Sequence, residues 1–365
     1  MTKIDYSYSG FNSSHLIRLE QFIESNDNLN KEDYENTISQ IKNYKSSKGN
    51  LCTKLNKSVL FNELLLEIYK VLNKEVPDLT PTINPSIFNK DYTSENVQLL
   101  VELIGWTELK IQVTGSYVKN AKIIIRNSKG KSLFCSSNLK TNEWGRLNLE
   151  VPNIEPIILI ESKYGISTFN NSKQKHMWLL KIMDLNHTIV DCNLNVFTTI
   201  NAKYHYPCES YNFINNQNLN EVLGFDNEKQ FDADYIQNKQ LLRLTLFMKL
   251  LRLVGVKSSK IAKEIINKKT TNETQLMCEL LDLKQRTFVS KIMNYLESQE
   301  RVNIIKYIRI IYAIEKYISD SLRHCPFKFW IKYSTIINNL INEVNRLTNK
   351  VDPKLEEFPN ASFLG

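Results

Sequence analysis

Glycine is scarce in this chain, and its spacing excludes several familiar catalytic motifs. The ten glycines among 365 residues are too far apart to form G-x-x-x-x-G-K-[ST] or G-x-G-x-x-G. There is also no G-x-S-x-G elbow and no H-E-x-x-H pair. These absences argue against nucleotide-driven and serine-hydrolase mechanisms, and we expect no cofactor.

Long apolar runs are missing as well, so the sequence predicts no transmembrane segment. Spanning a bilayer takes about 20 apolar residues in succession, and no run approaches that length. The first residues, MTKIDYSYSGFNSSH, carry no apolar stretch behind a basic start, which predicts no secretory signal peptide.

Closely spaced cysteine pairs are also absent. The six cysteines are scattered along the chain and suggest free thiols in a reducing compartment. They are Cys52, Cys135, Cys192, Cys208, Cys278 and Cys325. We therefore predict a cytoplasmic location.

The first 106 residues are predicted to be helical. Apolar residues recur at helical spacing over 15–25 and 58–72, and Ser58 is a plausible N-cap for the second helix. Three prolines within 77–85 indicate a rigid linker, and a short helix over 94–106 follows it.

The hydrophobic period changes to that of strands over 107–170. Runs rich in Ile and Val at 108–115, 120–127, 147–151 and 155–162 are separated by Gly, Asn and Ser. The stretch KTNEWGRLNLEVP, from Lys140 to Pro152, places a glycine turn before an alternating strand. Gly145 permits a positive φ at this turn, and Asn142 can bond the backbone two residues on.

This segment resembles the β-sandwich modules of the carboxypeptidase-regulatory and collagen-adhesin B type, which have a transthyretin-like fold. The matching positions are Ala121-Lys122-Ile123, Gly130, Thr141 to Gly145, Val151-Pro152 and Gly165. The resemblance implies a spacer or docking surface without catalytic residues of its own.

Residues 171–235 are predicted to be an irregular α/β connection. Residues 173–183 suggest a helix and residues 192–206 a strand, before a polar loop. The sequence leaves open whether this connection belongs to the β unit.

Helical periodicity returns over 236–350, ahead of a tail at 351–365. We predict helices near 235–254, 257–268, 272–282, 286–298, 300–320 and 328–348. This region holds 21 Lys and Arg against 9 Asp and Glu, a net of +12, so with +8 overall the remainder carries −4. The predicted fold is α+β, with N-terminal helices, a small central antiparallel β-sandwich and a C-terminal basic helical bundle.

An Mg²⁺-dependent nuclease is one alternative function. Glu161 and Lys163 resemble the Glu-x-Lys half of the PD-(D/E)xK nuclease motif, with Glu150 as the second carboxylate and Gln174 on a following helix. In that family, paired carboxylates on adjacent strands hold the metal and the lysine steadies the attacking water. A solvated strand end is the competing interpretation.

A zinc site is a second alternative. His187, Cys192, His205 and Cys208 form H-x4-C-x12-H-x2-C, a ligand set that suits tetrahedral Zn²⁺. The competing interpretation is two buried cysteines and two unrelated histidines.

The basic bundle suggests an anionic partner. Five lysines lie close together over 257–269, in a loose helix, turn, helix arrangement that would suit nucleic acid. They are Lys257, Lys260, Lys263, Lys268 and Lys269. The competing interpretation, which the lysine-rich composition favours, is a solvated helix face.

From these patterns we expect a non-catalytic structural or adaptor subunit. It would dock protein partners in a larger bacterial or phage assembly, with a secretion or injection apparatus as one setting. The nuclease and the nucleic-acid-binding protein remain the alternatives.

Overall fold

A computed structural model describes most of the first 300 residues. The described residues are 11, 13–43, 51–76, 89, 92–114, 117–127, 130–134, 139–168, 173–174, 178–182, 189–204, 239–266 and 272–298, with 339, 342 and 346. They combine helices with small sheets, which confirms the predicted α+β class. Within these ranges no helix has the length and apolar character that crossing a membrane requires.

Four helices precede the sheets. They are α1 (Ser13–Glu24), α2 (Lys31–Asn43), α3 (Leu51–Val71) and α4 (Glu95–Ile104). The helix expected to begin at Ser58 begins instead at Leu51, so Ser58 lies inside α3 and does not cap it. Helix α4 stops at Gly105, whose φ of 81° is readily adopted only by glycine.

Eight strands, called here the β unit, form two three-stranded sheets and one two-stranded ribbon. They are β1 (Trp106–Val113), β2 (Val118–Lys119), β3 (Lys122–Asn127), β4 (Arg146–Pro152), β5 (Ile158–Lys163), β6 (Ile166–Ser167), β7 (Trp178–Ile182) and β8 (Ile189–Leu194). The strand orders are β4-β1-β8, β3-β5-β7 and β2-β6.

Both three-stranded sheets contribute one face to a shared core. In β3 every second side chain is buried, with Ile123 and Ile125 facing the core and Ile124 half-buried on the other face. In β1 the core-facing residues are Leu109, Ile111 and Val113. Ile111 of β1 and Ile125 of β3 belong to one continuous cluster that also includes residues of α1, α3 and α4. The helices and the β unit are therefore joined by a common apolar core.

One three-stranded sheet, β4-β1-β8, is mixed, whereas the sequence predicted antiparallel pairing throughout; the other sheet and the ribbon are antiparallel as predicted. Strand β1 pairs antiparallel with β4 but parallel with β8, where Ile111 lies beside Cys192. A parallel neighbour needs a long crossover connection, and the chain between β1 and β8 includes the other six strands. The alternation of apolar and polar residues along one strand does not indicate whether its neighbour runs parallel or antiparallel.

Two expectations for 171–235 are wrong. The predicted helix over 173–183 is strand β7, because residues 178–182 pair antiparallel with β5. The predicted strand over 192–206 ends at Leu194 and continues as helix α5 (Val196–Tyr204). Asn195 caps that helix, since its Oδ1 accepts hydrogen bonds from the backbone N–H groups of Phe197 (2.8 Å) and Thr198 (2.9 Å).

The described part of the basic region forms four more helices, at four of the six predicted places. They are α6 (Lys239–Leu253), α7 (Ser258–Ile266), α8 (Glu273–Leu280) and α9 (Leu283–Glu297). The helices predicted near 300–320 and 328–348 lie outside the described residues, apart from three isolated positions. Helix α5 contacts β7 on one side and α7 on another, so it connects this bundle to the β unit.

Candidate functional site: a lysine and aromatic surface at one end of the β unit

One end of the β unit is built on the turn that precedes β4. Asn142 Oδ1 accepts hydrogen bonds from the N–H groups of Trp144 and Arg146, both at 2.9 Å. The sequence predicted this use of the Asn142 side chain. Gly145 N–H also donates to Asn142 O at 3.1 Å. The turn is therefore held by its own backbone and by one side chain.

Two glycines at this end let separate turns pack on the same short segment, 117–121. A Cβ on Gly145 would lie 2.9 Å from the backbone nitrogen of Val118. A Cβ on Gly165 would lie 2.5 Å from Val118 Cγ1 and 2.8 Å from Lys119 O. Both glycines also have a positive φ, so close backbone approach and conformation each require glycine here.

Three non-glycine residues at the same end also have a left-handed backbone. Tyr117, Asn120 and Tyr164 have φ values of 47°, 55° and 61°. Asparagine tolerates this region, but a tyrosine there is strained by roughly 1–3 kcal/mol. Thr141 fixes the segment, because its Oγ1 donates to Val118 O (2.6 Å) and accepts from Ala121 N–H (2.9 Å).

These turns hold two large aromatic side chains in solvent. Trp144 is 46% exposed and Tyr164 is 69% exposed. Each precedes one of the two glycines that pack on 117–121. The rings are thus carried by constrained backbone at neighbouring positions, with little backbone freedom to lose on contact with a partner.

Three lysines form a row beside these rings. Lys122 at the start of β3 pairs with Lys163 of β5, and on its other side it forms an isolated bridge with Lys140. Directly paired residues project from the same face of a sheet with Cβ atoms about 5 Å apart. Three ammonium-bearing side chains therefore share one face across three neighbouring segments.

Two more lysines flank the ribbon at the same end. Lys119 of β2 pairs with Ile166 of β6, which in turn bridges to Lys173. We call the whole set the tip surface. It consists of Lys119, Lys122, Lys140, Lys163, Lys173, Trp144 and Tyr164.

The carboxylates near the tip surface neutralise only part of its positive charge. Glu161 Oε2 lies 3.2 Å from Lys163 Nζ and 3.3 Å from Arg126 Nε. In the described part of the chain, Lys122 and Lys140 form no ion pair. Glu143 is an exposed carboxylate in the turn. The tip surface is therefore basic overall.

The nuclease residues are not brought together on neighbouring strands. Glu150 is exposed on β4, which pairs with β1, whereas Glu161 lies on β5 in the other three-stranded sheet. Glu161 shares its face with Leu159, which packs on Ala202 of α5, apart from the common core. Gln174 was expected on a helix, but its N–H donates to Gly165 O in an extended segment.

Of the four zinc candidates, only Cys192 lies within the described residues. Its side chain is fully buried and Sγ donates a weak hydrogen bond to Val190 O at 3.4 Å. His187, His205 and Cys208 lie outside. In the described part of the chain, no three metal-ligating side chains come together. The four-residue zinc site stays a prediction.

The predicted anion-binding lysines lie on α7 and just before it. Lys257, Lys260 and Lys263 are exposed. Lys268 and Lys269 fall outside the described residues. Helix α7 does not belong to the tip surface, so the chain has two separate basic surfaces.

The opposite end of the β unit holds a buried polar cluster. Tyr92 Oη donates to Glu155 Oε1 at 2.6 Å, and Asn127 Nδ2 donates to Tyr92 Oη at 2.9 Å. His15 of α1 brings Nε2 to 3.9 Å from the same carboxylate oxygen. Both His15 and Glu155 have no exposed surface. The cluster joins α1, which carries His15, to the β unit, which carries Asn127 and Glu155. Because solvent does not reach these side chains, the cluster does not offer a substrate site.

Sequence patterns missed four of the five tip lysines. They lie on separate segments of a lysine-rich chain, and only strand pairing brings them into rows. The signal available in the sequence was the pair of aromatic-glycine steps, Trp144-Gly145 and Tyr164-Gly165. An aromatic residue beside a turn glycine at two places indicates a constrained, exposed ring.

Comparison of the chain with profiles of known protein families, with curated proteins and with solved structures finds no match. The assignment of function therefore depends on the geometry of the tip surface and of α7.

Proposed function

We propose that this chain is a non-catalytic adaptor in a multi-subunit assembly and that its tip surface receives an acidic segment of a protein partner. We place it in the cytoplasm of a bacterium, or of a bacterium hosting a phage. A secretion or injection apparatus is one such assembly.

The lysine row is the observation that carries the proposal. Like charges directly opposite each other in a sheet destabilise it by roughly 0.2–1 kcal/mol per pair. Lys122 stands between Lys140 and Lys163. Glu161 offsets part of the charge of Lys163, so the free protein bears this cost mainly on the Lys140 side. A partner carboxylate between the ammonium groups would remove the repulsion and add charge-assisted hydrogen bonds.

The two exposed rings support a protein as the partner. Tryptophan and tyrosine are enriched among the residues that dominate the energy of protein interfaces. Trp144 and Tyr164 stand on backbone that their neighbouring glycines hold in place, so little conformational entropy is lost when a partner covers them.

Glu161 and Glu155 are both in contact with neighbouring side chains, which supports a non-catalytic role. Glu161 is held by Arg126 and Lys163, and Glu155 is buried under Tyr92 and Asn127. A general acid or base must reach the proton it transfers. Neither carboxylate is placed for that in this arrangement.

The first test measures binding of a fluorescent polyglutamate peptide by the full chain, using anisotropy. The test variant is Lys122→Gln with Lys140→Gln. Loss of two charge contacts, each worth about 0.5–1 kcal/mol at an exposed interface, predicts roughly a tenfold weaker affinity. The melting temperature should stay unchanged or rise, because the substitution also removes the like-charge repulsion.

The matched control is Lys110→Gln, an exposed lysine on the outer face of β1. It should leave peptide binding unchanged. A pull-down with wild-type and variant chains, with and without nuclease treatment, then identifies the natural partner. Equal peptide affinity for both variants, or a stoichiometric partner captured equally by wild type and the double variant, would refute the proposal.

A further inference from the structure

Helices α6 and α7 are joined by a short turn of defined geometry. Gly255 follows the end of α6 with a φ of 97°, and Val256 N–H donates back to Leu251 O at 2.9 Å. This is the Schellman pattern, with glycine in the left-handed position and a buried apolar residue after it. Helix α7 begins at Ser258, so residues 254–257 form a tight, glycine-containing helix–turn–helix connection.

Helix α7 has one apolar and one basic side. Ile261 and Ile265 are fully buried, and α7 contacts α5 and α8. Lys260 and Lys263 are exposed on the opposite side, and Lys257 extends that side into the turn. Packing of the isoleucines thus fixes which side of α7 faces solvent.

Acidic residues of the bundle offset this basic side only in part. Glu264, one turn after Lys260, is the acidic residue of α7 itself, so this side carries three lysines against one carboxylate. Arg243 binds Glu273 through Nη1 (2.8 Å) and Glu297 through Nη2 (2.7 Å), which commits two carboxylates to a structural contact. Over 239–266 and 272–298 there are ten basic and five acidic residues. The α7 side therefore retains a positive field that favours a polyanion.

We infer that the α7 face formed by Lys257, Lys260 and Lys263 binds the phosphate backbone of duplex DNA. An α-helix with its side chains is about 10–12 Å in diameter and so fits the major groove, which is about 12 Å wide. In helix–turn–helix proteins the second helix occupies that groove. Lysines contact phosphates without reading bases, so binding is independent of sequence.

This site is separate from the tip surface and uses other residues. The tip carries exposed aromatic rings and an acidic protein segment is proposed for it, whereas the α7 face presents lysines along a helix. The two proposals can therefore fail independently.

The experiment measures anisotropy of a fluorescent 20-base-pair duplex of arbitrary sequence with the full chain, from about 50 to 200 mM salt. Each phosphate contact contributes about −0.9 to the slope of log K against log salt. Three lysines predict a slope of about −2.7, which is roughly a 40-fold loss of affinity over that range. The Lys257→Gln, Lys260→Gln, Lys263→Gln triple variant should bring the slope near zero.

Two controls define the site. Lys284→Gln removes an exposed lysine from α9, and Lys122→Gln with Lys140→Gln removes tip charge. Both should keep the wild-type slope. The triple variant and Lys284→Gln should also keep the wild-type melting temperature, because the changed side chains are exposed. Polyglutamate peptide should bind the triple variant as well as it binds wild type.

Three results would overturn the inference. The first is no duplex binding by the wild-type chain at about 50 mM salt, where phosphate contacts are strongest. The second is an unchanged slope in the triple variant. The third is a tip variant that lowers the slope as much as the triple variant, which would assign the duplex to the tip surface instead.

Discussion

At the scale of single residues, Gly145 is the position where backbone conformation and packing impose the same requirement. Gly145→Ala would force a side chain into a φ of 75° and place its Cβ 2.9 Å from Val118 N. The left-handed conformation costs about 1–2 kcal/mol and the overlap adds a similar amount. Urea denaturation should show a loss of about 2–4 kcal/mol in unfolding free energy.

Gly255→Ala separates the two causes. Gly255 also has a positive φ, 97°, but nothing lies within 4 Å of where its Cβ would be. This variant should lose about 1–2 kcal/mol, from conformation alone. Equal losses for the two variants would show that packing on 117–121 adds nothing at Gly145.

Tyr69 predicts a loss of stability in alkaline solution. Its hydroxyl donates to Leu99 O at 2.7 Å, which ties α3 to α4. Burial raises the pKa of Tyr69 well above its ordinary value of about 10, and the nearby carboxylate of Glu102 raises it further. The folded protein therefore keeps the proton at a pH where the unfolded chain releases it.

The direction of the pH effect on stability follows from this difference in pKa between the folded and the unfolded chain. Below the unfolded pKa of about 10 the contribution to stability is complete, and it is lost as pH rises toward the folded pKa. One proton corresponds to about 1.4 kcal/mol per pH unit above that point. In Tyr69→Phe the alkaline decline in unfolding free energy should be shallower by this amount. An identical decline in both proteins would contradict the assignment.

At the scale of elements, the buried cluster at the far end of the β unit determines how α1 is attached. His15 of α1 lies against both the Tyr92 ring, at 6.0 Å between centroids, and the Glu155 carboxylate. Tyr92→Phe keeps the ring but removes the hydroxyl that donates to Glu155 at 2.6 Å. Leaving a buried hydrogen-bonding group without its partner costs about 1–3 kcal/mol.

Hydrogen exchange gives the test at this scale. In Tyr92→Phe the amides of α1 should exchange faster relative to wild type, with a smaller change in α9, because the lost bond lies at the junction of α1 with the β unit. Tyr34→Phe is the control, since among the described residues the buried Tyr34 hydroxyl forms no hydrogen bond. A uniform change over both helices in Tyr92→Phe would argue against a local junction.

At the scale of the whole molecule, the contacts that attach the helices to the β unit lie apart from the exposed tip surface. The N-terminal helices share the core of the β unit and join it through the cluster around Glu155. The tip surface lies at the other end, and the bundle is connected along the side through α5 and β7. The adaptor role that we propose needs such separation, because one surface can then be occupied without disturbing another.

Much of the fold was accessible from the sequence because it depends on local patterns. Helical spacing of Ile261 and Ile265, alternation along β4, and the Asn142 turn all follow from residues a few positions apart. The α+β class followed from these patterns. The start of α5 also had a local signal in Asn195 and Thr198, which the strand-like residues after it obscured.

Tertiary structure alone decided the strand partners and therefore the tip surface. Segment 178–182 is a strand because β5 supplies its hydrogen bonds, and β8 lies parallel to β1. Lys122 lies opposite Lys163 because Ile123 and Ile125 must face the core together with Ile158 and Ile160. Pairing register is a long-range property, set by which faces are buried, and a shift of one residue would have moved every lysine of the row to the other side.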